Sequence, residues 1–194
     1  MKYDIILCGV GGQGILTIAT LIDRVALRLG LEVKQAEVHG MAQRGGAVES
    51  HLRLADGPIA SDLIPKGKAD MILAVEPMET LRYLSWLADD GAVVASTTPF
   101  VNIPNYPDIE EVLSVISKFE KHVLVDSKTL AKDAGNVRAE NTVMLGAASG
   151  WLPVDGEVVR TEVAEMFKPK GEKLVEVNER AFDLGRAAAL EAIG

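Results

Sequence analysis

Hydrophobic positions along this chain switch between two periods, and the switches mark out alternating strands and helices. Lys2 to Cys8 carries Ile5, Ile6 and Leu7 without polar interruption, which predicts a short strand buried on both faces, as in a parallel sheet. From Ile15 to Leu29 the residues Leu16, Ala19, Leu21, Ile22, Val25, Ala26 and Leu29 give a helical apolar pattern, and Gly30 supplies a stop. Leu31 to Val38 reads as a second strand that completes a βαβ unit. Ala47 to Leu54 alternates instead, with Val48, Ser50, Leu52 and Leu54 on one face and Glu49, His51 and Arg53 on the other. That alternation suits a half-exposed strand, antiparallel and at a sheet edge. Asp56-Gly57-Pro58 then forms a turn.

Met71 to Val75 is another buried strand. Pro77 opens a helix carrying Leu81, Leu84 and Leu87, which Asp90-Gly91 closes before a strand from Ala92 to Ser96. Pro99, Pro104 and Pro107 keep Thr97 to Pro107 out of regular structure. Ile109 to Phe119 is helical, His122 to Val125 is a short strand, and the remainder is mostly helix, broken at Leu152-Pro153 and at Lys168-Pro169-Lys170-Gly171. Strands alternating with helices predict a three-layer α/β/α, Rossmann-like sandwich with a mostly parallel sheet, formed as a single domain over residues 1–194. In such a sheet ligands and partners gather at the carboxyl ends of the strands.

Two glycine-rich loops fall at such ends. Gly9-Val10-Gly11-Gly12-Gln13-Gly14 has the G-x-G-x-x-G spacing in its required strand-to-helix context. Small residues there permit a tight turn, and the helix start offers unpaired N–H groups to an anion. Glu37, near the end of the second strand, stands about where a ribose-binding acid belongs. Gln13 adds a neutral amide able to bond a phosphate or a partner backbone. Two readings stay open on these residues alone: a dinucleotide loop, and a tight turn that packs the helix on the sheet. The second loop, His39-Gly40-Met41-Ala42-Gln43-Arg44-Gly45-Gly46, joins three glycines to an imidazole, a thioether, an amide and a guanidinium. Arg44 suits a carboxylate or phosphate, or an ion pair with Glu37 or Glu49. His39 suits acid–base work or surface hydrogen bonding, and a recognition or interface loop is the reading favoured here.

Composition narrows the functional classes. A net charge of −8 opposes a general nucleic-acid or anionic-membrane binder. The single cysteine, Cys8, rules out an internal disulfide and an iron–sulfur cluster held wholly by this chain, and at the end of an apolar strand it reads as a buried structural thiol. No stretch approaches the ~20 apolar residues of a membrane span, and Met1-Lys2-Tyr3-Asp4 lacks the form of a signal peptide, so a cytoplasmic location is expected. His51 and His122 lack metal-ligand spacing. Asp108, Glu110 and Glu111 suit a helix N-terminus, while Lys168, Lys170 and Lys173 decorate a solvated helix start. Trp86 and Trp151 read as core or interface anchors.

The two loops together resemble the beta subunits of indolepyruvate ferredoxin oxidoreductases, a branch of the gamma-type (subunit or domain) family of 2-oxoacid:ferredoxin oxidoreductases. The likeness continues through Ser61-Asp62-Leu63-Ile64-Pro65-Lys66-Gly67-Lys68-Ala69-Asp70, through Glu76-Pro77-Met78-Glu79-Thr80-Leu81-Arg82, and at Asn141-Thr142-Val143-Met144-Leu145-Gly146-Ala147. It covers most of the chain and is weakest in the proline loop and the last helices. The His-Gly-Met-Ala-Gln-Arg-Gly-Gly form of the second loop is the more specific signal.

The resemblance implies a subunit supporting CoA-dependent oxidative decarboxylation of aryl pyruvates to aryl-acetyl-CoA, with electrons passed to ferredoxin. Thiamine diphosphate, magnesium, the iron–sulfur clusters and coenzyme A would be held through a larger alpha subunit, none by this chain alone, and the chain would be inactive without that partner. It also implies that Gly11, Gly12, Gln13, Gly14, His39, Gln43 and Arg44 edge the active site, that Met41, Gly45 and Gly46 meet the partner, and that no residue here is itself catalytic. Lys66 and Lys68 stand as coenzyme A contacts or, more simply, as a solvated pair. A homodimer of the isolated chain through the face meant for its partner stays open, as do two other readings: a self-contained NAD(P)-binding oxidoreductase, and a gamma subunit serving pyruvate or another 2-oxoacid.

Overall fold

The computed structural model describes residues 1–39, 45–101 and 103–193. Six strands form one sheet: β1 (Lys2–Val10), β2 (Glu32–His39), β3 (Ala47–Ala55), β4 (Ala69–Ala74), β5 (Leu87–Ser96) and β6 (His122–Val125), in the order β2-β3-β1-β4-β5-β6. Pairing is parallel from β1 through β4 and β5 to β6 and antiparallel on both sides of β3, so β3 alone runs against the rest. The sheet is therefore mostly parallel, as expected. Helix α1 (Ile15–Arg28) connects β1 to β2, α2 (Pro77–Tyr83) connects β4 to β5, and α3 (Ile109–Ile116) connects β5 to β6. Four helices follow: α4 (Ser127–Ala134), α5 (Glu140–Ala148), α6 (Gly156–Phe167) and α7 (Glu172–Ile193).

Alternation along β1 divides the core into two layers. Ile5 and Leu7 join a cluster with α1, α5, α6 and α7, whereas Ile6 and Cys8 join another with Tyr83 of α2 and with Val112 and Ile116 of α3. Both faces are buried, which is why the strand reads as an unbroken apolar run. On α1 the buried stripe is Ile15, Ile18, Ala19, Leu21, Ile22, Val25 and Ala26, while Leu16 and Leu29 of the expected apolar face point into solvent. The helix ends in a reciprocal pair of bonds, Leu31 N–H to the Ala26 carbonyl and Gly30 N–H to the Leu27 carbonyl, the Schellman arrangement that a glycine stop permits.

Two sequence expectations are corrected. The strand at Ala47–Ala55 is antiparallel but not an edge; it is inserted between β2 and β1, and β2 takes the edge. Its polar face is engaged rather than solvated. His51 is buried beside Trp86 and accepts the Ile64 N–H at Nδ1, and Arg53 grips the buried Asp4 at 2.8 and 3.1 Å. The helix begun by Pro77 stops at Tyr83, short of Leu84 and Leu87; Leu84–Trp86 make one 3-10 turn and Leu87 already pairs with Ala69 in the sheet. Trp86 is drawn down against Tyr83, with the ring centroids 5.7 Å apart, and Ser85 accepts the Gly67 N–H. These tertiary contacts outweigh the helical spacing of the leucines.

Candidate functional site

The glycine loop turns directly off the carboxyl end of β1. Gly14 is the N-cap of α1 in the left-handed region, at φ +81°, and a Cβ placed there would lie 2.7 Å from Asn141 Nδ2. Only glycine meets both demands. The Gln13 amide turns inward: Oε1 accepts the Val10 N–H at 2.7 Å and Nε2 donates to the Val75 carbonyl at 3.3 Å. Gln13 thereby staples the loop to the end of β4. Helix α1 has neither a side-chain cap nor an acidic residue in its first turn, so its leading N–H groups keep the partial positive charge of a helix start.

The second loop joins the antiparallel pair β2–β3, with His39 paired to Val48 in the backbone register. Met41, Gln43 and Arg44 lie outside the described residues, and of His39 only the backbone is described. Gly45 and Gly46 are placed, and they carry the decisive contact. Gly11 N–H donates to the Gly46 carbonyl at 2.9 Å, and Gly45 N–H donates to the Gly11 carbonyl at 3.4 Å. The two loops are thus laced backbone to backbone, and one donor of the glycine loop is spent on the hairpin rather than left for a phosphate.

Beside this lacing opens a cavity of about 520 Å³, built from the carboxyl ends of the parallel strands. Gly12, Gln13 and Gly14 follow β1, Val75 follows β4, Thr98 to Phe100 follow β5, and Ser127 and Lys128 follow β6; Arg138, Glu140 and Asn141 close it from the start of α5. The chain leaves β1 toward β2 and leaves β4 toward β5, on opposite sides, so the cavity sits at the reversal of strand order where open α/β sheets bind. Ser127 Oγ bonds Ser96 Oγ at 2.8 Å and donates to Glu140 at 3.3 Å. Burial pushes the Glu140 carboxyl above its ordinary range, against the pull of Ser127 and Lys128.

A residue to which the motifs assign no role of its own is Glu76. Wholly buried, it caps α2 by accepting the Glu79 N–H at Oε2, and its Oε1 accepts the Phe100 N–H at 3.2 Å and the Tyr106 hydroxyl. One carboxylate therefore fixes both the start of a helix and the proline loop that walls the cavity. The signal was in the chain: an acid directly before Pro77 stands in the N-cap position. Glu79, nearby, is buried and bonds Arg82 at 2.9 Å; desolvation raises its carboxyl despite that partner. Cys8 is fully buried, and burial followed by the neighbouring Glu79, Glu76 and Glu49 pushes its thiol well up, which suits a structural thiol and no thiolate chemistry. An iron–sulfur cluster needs several thiolates, so the residues present do not fit one. Among the described residues no three His, Cys, Asp or Glu side chains gather to hold a metal, and no helix is long and apolar enough to cross a membrane. Lys66 lies over the Trp86 ring at 4.9 Å, away from the cavity lining, and Asp108 caps α3 through the Glu110 N–H.

The six-stranded, mostly parallel sheet and its flanking helices form the fold of the gamma-type subunits of 2-oxoacid:ferredoxin oxidoreductases. Residues 4–188 match the family described as pyruvate ferredoxin/flavodoxin oxidoreductase, and the chain belongs to that family. It is 39% identical to the indolepyruvate oxidoreductase subunit IorB of Pyrococcus horikoshii over 202 aligned positions, covering 99% of this chain and 98% of that one. The gamma subunit of a keto/oxoacid ferredoxin oxidoreductase from Geobacter sulfurreducens superposes with a TM-score of 0.75 at 25% identity, covering 99% of this chain and 98% of that one. The 2-oxoglutarate:ferredoxin oxidoreductase of Magnetococcus marinus, solved with 2-oxoglutarate, coenzyme A and succinyl-CoA, superposes with a TM-score of 0.79 at 23% identity over 98% of this chain. There the fold forms only 31% of a longer chain.

Proposed function

We propose that this chain is the small, beta subunit of an indolepyruvate:ferredoxin oxidoreductase, acting as one gamma-type domain in the cytoplasm. In that complex an aryl pyruvate loses CO2, its acyl group passes to coenzyme A, and two electrons pass to ferredoxin. The full-length likeness to an indolepyruvate oxidoreductase subunit supports this branch over a gamma subunit serving pyruvate. Thiamine diphosphate, magnesium and the iron–sulfur clusters belong to the alpha subunit on this reading, since one buried cysteine cannot serve a cluster. Gly11, Gly12, Gln13 and Gly14, with His39, Gln43 and Arg44, edge the partner's active site; Met41, Gly45 and Gly46 meet its surface.

The single observation that carries the docking role is the lacing of Gly11 to Gly45 and Gly46. It holds the sequence-specific loop against the glycine loop at the mouth of the switch-point cavity, so whatever meets one loop meets both. The test is reconstitution with the alpha subunit and coenzyme A, following reduction of ferredoxin. Indolepyruvate should be oxidised only when both chains are present, and with a higher kcat/KM than pyruvate. Turnover by the alpha subunit alone at the full rate, or a preference for pyruvate, would overturn the assignment.

A further inference from the structure

Between the end of β3 and the start of β4, residues 56–68 form a strap without regular structure. Its buried side chains are Ile59 and Ile64, and Ile64 completes the core layer that holds Ile6, Cys8 and Tyr83. Side chains of the sheet hold the strap by its backbone. Arg53 donates to the Ser61 and Leu63 carbonyls at 2.9 and 3.1 Å, Glu32 accepts the Ile59 N–H at 3.2 Å, and His51 Nδ1 accepts the Ile64 N–H at 3.1 Å. The last of these anchors is buried at both ends, with His51 and Ile64 each 3% exposed.

A backbone N–H only donates, so His51 Nδ1 is bare and the ring proton sits on Nε2. The ring is neutral while the strap is down. A second proton would place an N–H at Nδ1, donor against donor, facing the Ile64 nitrogen. On its other side Nε2 faces Glu49 Oε1 at 3.6 Å, a carboxylate that the Tyr83 hydroxyl also bonds. One neighbour therefore draws the proton and the other bars it. The surrounding charges are matched among themselves: Asp4 pairs with Arg53 and Lys2, Asp62 with Lys34, and Glu79 with Arg82. Lys66 lies over the Trp86 ring, whose edge meets His51, and burial keeps Cys8 a neutral thiol.

We propose that His51 is a proton-operated latch for the strap, closed while the ring is neutral and released at Ile64 when the ring takes its second proton. The imidazolium then stays with Glu49 while water reaches Nδ1. The closed strap excludes the proton, so by linkage acid favours the open form and neutral pH the closed one. Histidines change charge between about pH 5 and 8, which places the device in a physiological range. Release is local. The Arg53 guanidinium, which does not titrate there, still holds Ser61 and Leu63, and Gly67 N–H still bonds the Ser85 carbonyl at 3.0 Å. The stretch from Ile64 to Lys66 is what lifts away from Trp86. The latch needs neither ligand nor partner, so it stands independently of the complex proposed for the chain.

The experiment follows the Ile64 amide of the full-length chain by hydrogen exchange, each rate divided by the intrinsic rate at the same pH. Leu73, paired on both sides within β4, is the internal reference. From pH 7.5 to 5.5 the protection of Ile64 relative to Leu73 is expected to fall roughly tenfold or more, one linked proton allowing at most about tenfold per pH unit. His51→Asn keeps an acceptor beside Ile64 that takes no proton, and should show no such fall. Glu49→Gln removes the carboxylate that draws the proton, and should move the fall to lower pH. Long-range proton–nitrogen spectra should show the His51 ring as the Nε2–H form at pH 7.5 and doubly protonated where Ile64 opens. Ile64 protection that holds constant down to pH 5.5, or falls equally in His51→Asn, overturns the latch, as does an Nδ1–H ring at pH 7.5. If circular dichroism finds His51→Asn unfolded, Glu49→Gln decides, and a fall that it leaves unmoved overturns the latch.

Discussion

Asp23 is half-buried on α1, and its Oδ1 is buried without a hydrogen-bond partner. Desolvation raises its carboxyl from 3.8 to about 6. The folded chain therefore holds this proton more tightly than the unfolded one, and the ionised group penalises folding above pH 6. The penalty is relieved as pH falls through about 6 toward 3.8. Asp23→Asn is expected to be the more stable form at pH 7.5, by about 1 kcal/mol once the exposed half of the group is discounted. The advantage over wild type should shrink between pH 6 and pH 4, as read from urea midpoints of both proteins at each pH. Asp4 is wholly buried and paired with Arg53 and Lys2. Arg53 also donates to the carbonyls of Ser61 and Leu63, so it ties the segment after β3 to the sheet. Arg53→Met leaves a buried carboxylate with only a half-exposed lysine, and should cost about 3 kcal/mol in the same assay.

At the scale of elements, α5 is the helix most enclosed by the rest of the fold: Thr142 through Ala148 are all buried. Its contact with α7 is a close approach of backbones. A Cβ on Gly146 would fall 2.1 Å from the Phe182 carbonyl oxygen, and one on Gly185 would fall 2.0 Å from that of Val143. Either helix must move aside to admit a methyl group. Gly146→Ala should therefore destabilise by about 3 kcal/mol and lower Tm by roughly 5–10 °C, which calorimetry would register. The same element shows where sequence reading stops. Residues 141–147 were recognisable as a motif, yet nothing local marks Gly185 as the partner of Gly146, because the requirement arises only when two helices meet. Ile5-Ile6-Leu7 announced a doubly buried strand because alternation and burial are properties of the strand itself. The place of β3 was not legible, since its alternating polar residues look solvated until His51, Arg53 and Glu49 find Ile64, Asp4 and Tyr83. The end of α2 was lost for the same reason: Leu84 and Leu87 keep helical spacing, and the helix ends early where Trp86 packs on Tyr83 and Leu87 pairs with Ala69 in the sheet. The glycine loop was legible as a loop, and the contacts that decide its use, from Gly46 and Gln13, were not.

At the scale of the whole molecule, inserting β3 changes what the glycine loop can hold. In a dinucleotide-binding sheet the second parallel strand adjoins the first, so its terminal acid reaches the ribose beside the loop. Here β3 separates β2 from β1, and Glu37 stands two strand spacings away from β1, about 9.5 Å rather than about 4.8 Å. The Gly11 N–H is taken by Gly46, and both ends of the Gln13 amide are taken by Val10 and Val75. The net charge of −8 adds no attraction for a pyrophosphate. Each of these terms opposes a nicotinamide dinucleotide, and they act on the same site, so they reinforce one another. The isolated chain is accordingly expected to give no saturable change in NADH or NADPH fluorescence up to about 1 mM, which corresponds to a binding free energy weaker than about 4 kcal/mol. Saturation in the micromolar range would require at least about 8 kcal/mol from this loop. That outcome would return the chain to the class of self-contained dehydrogenases and leave the lacing of the two loops without a docking role.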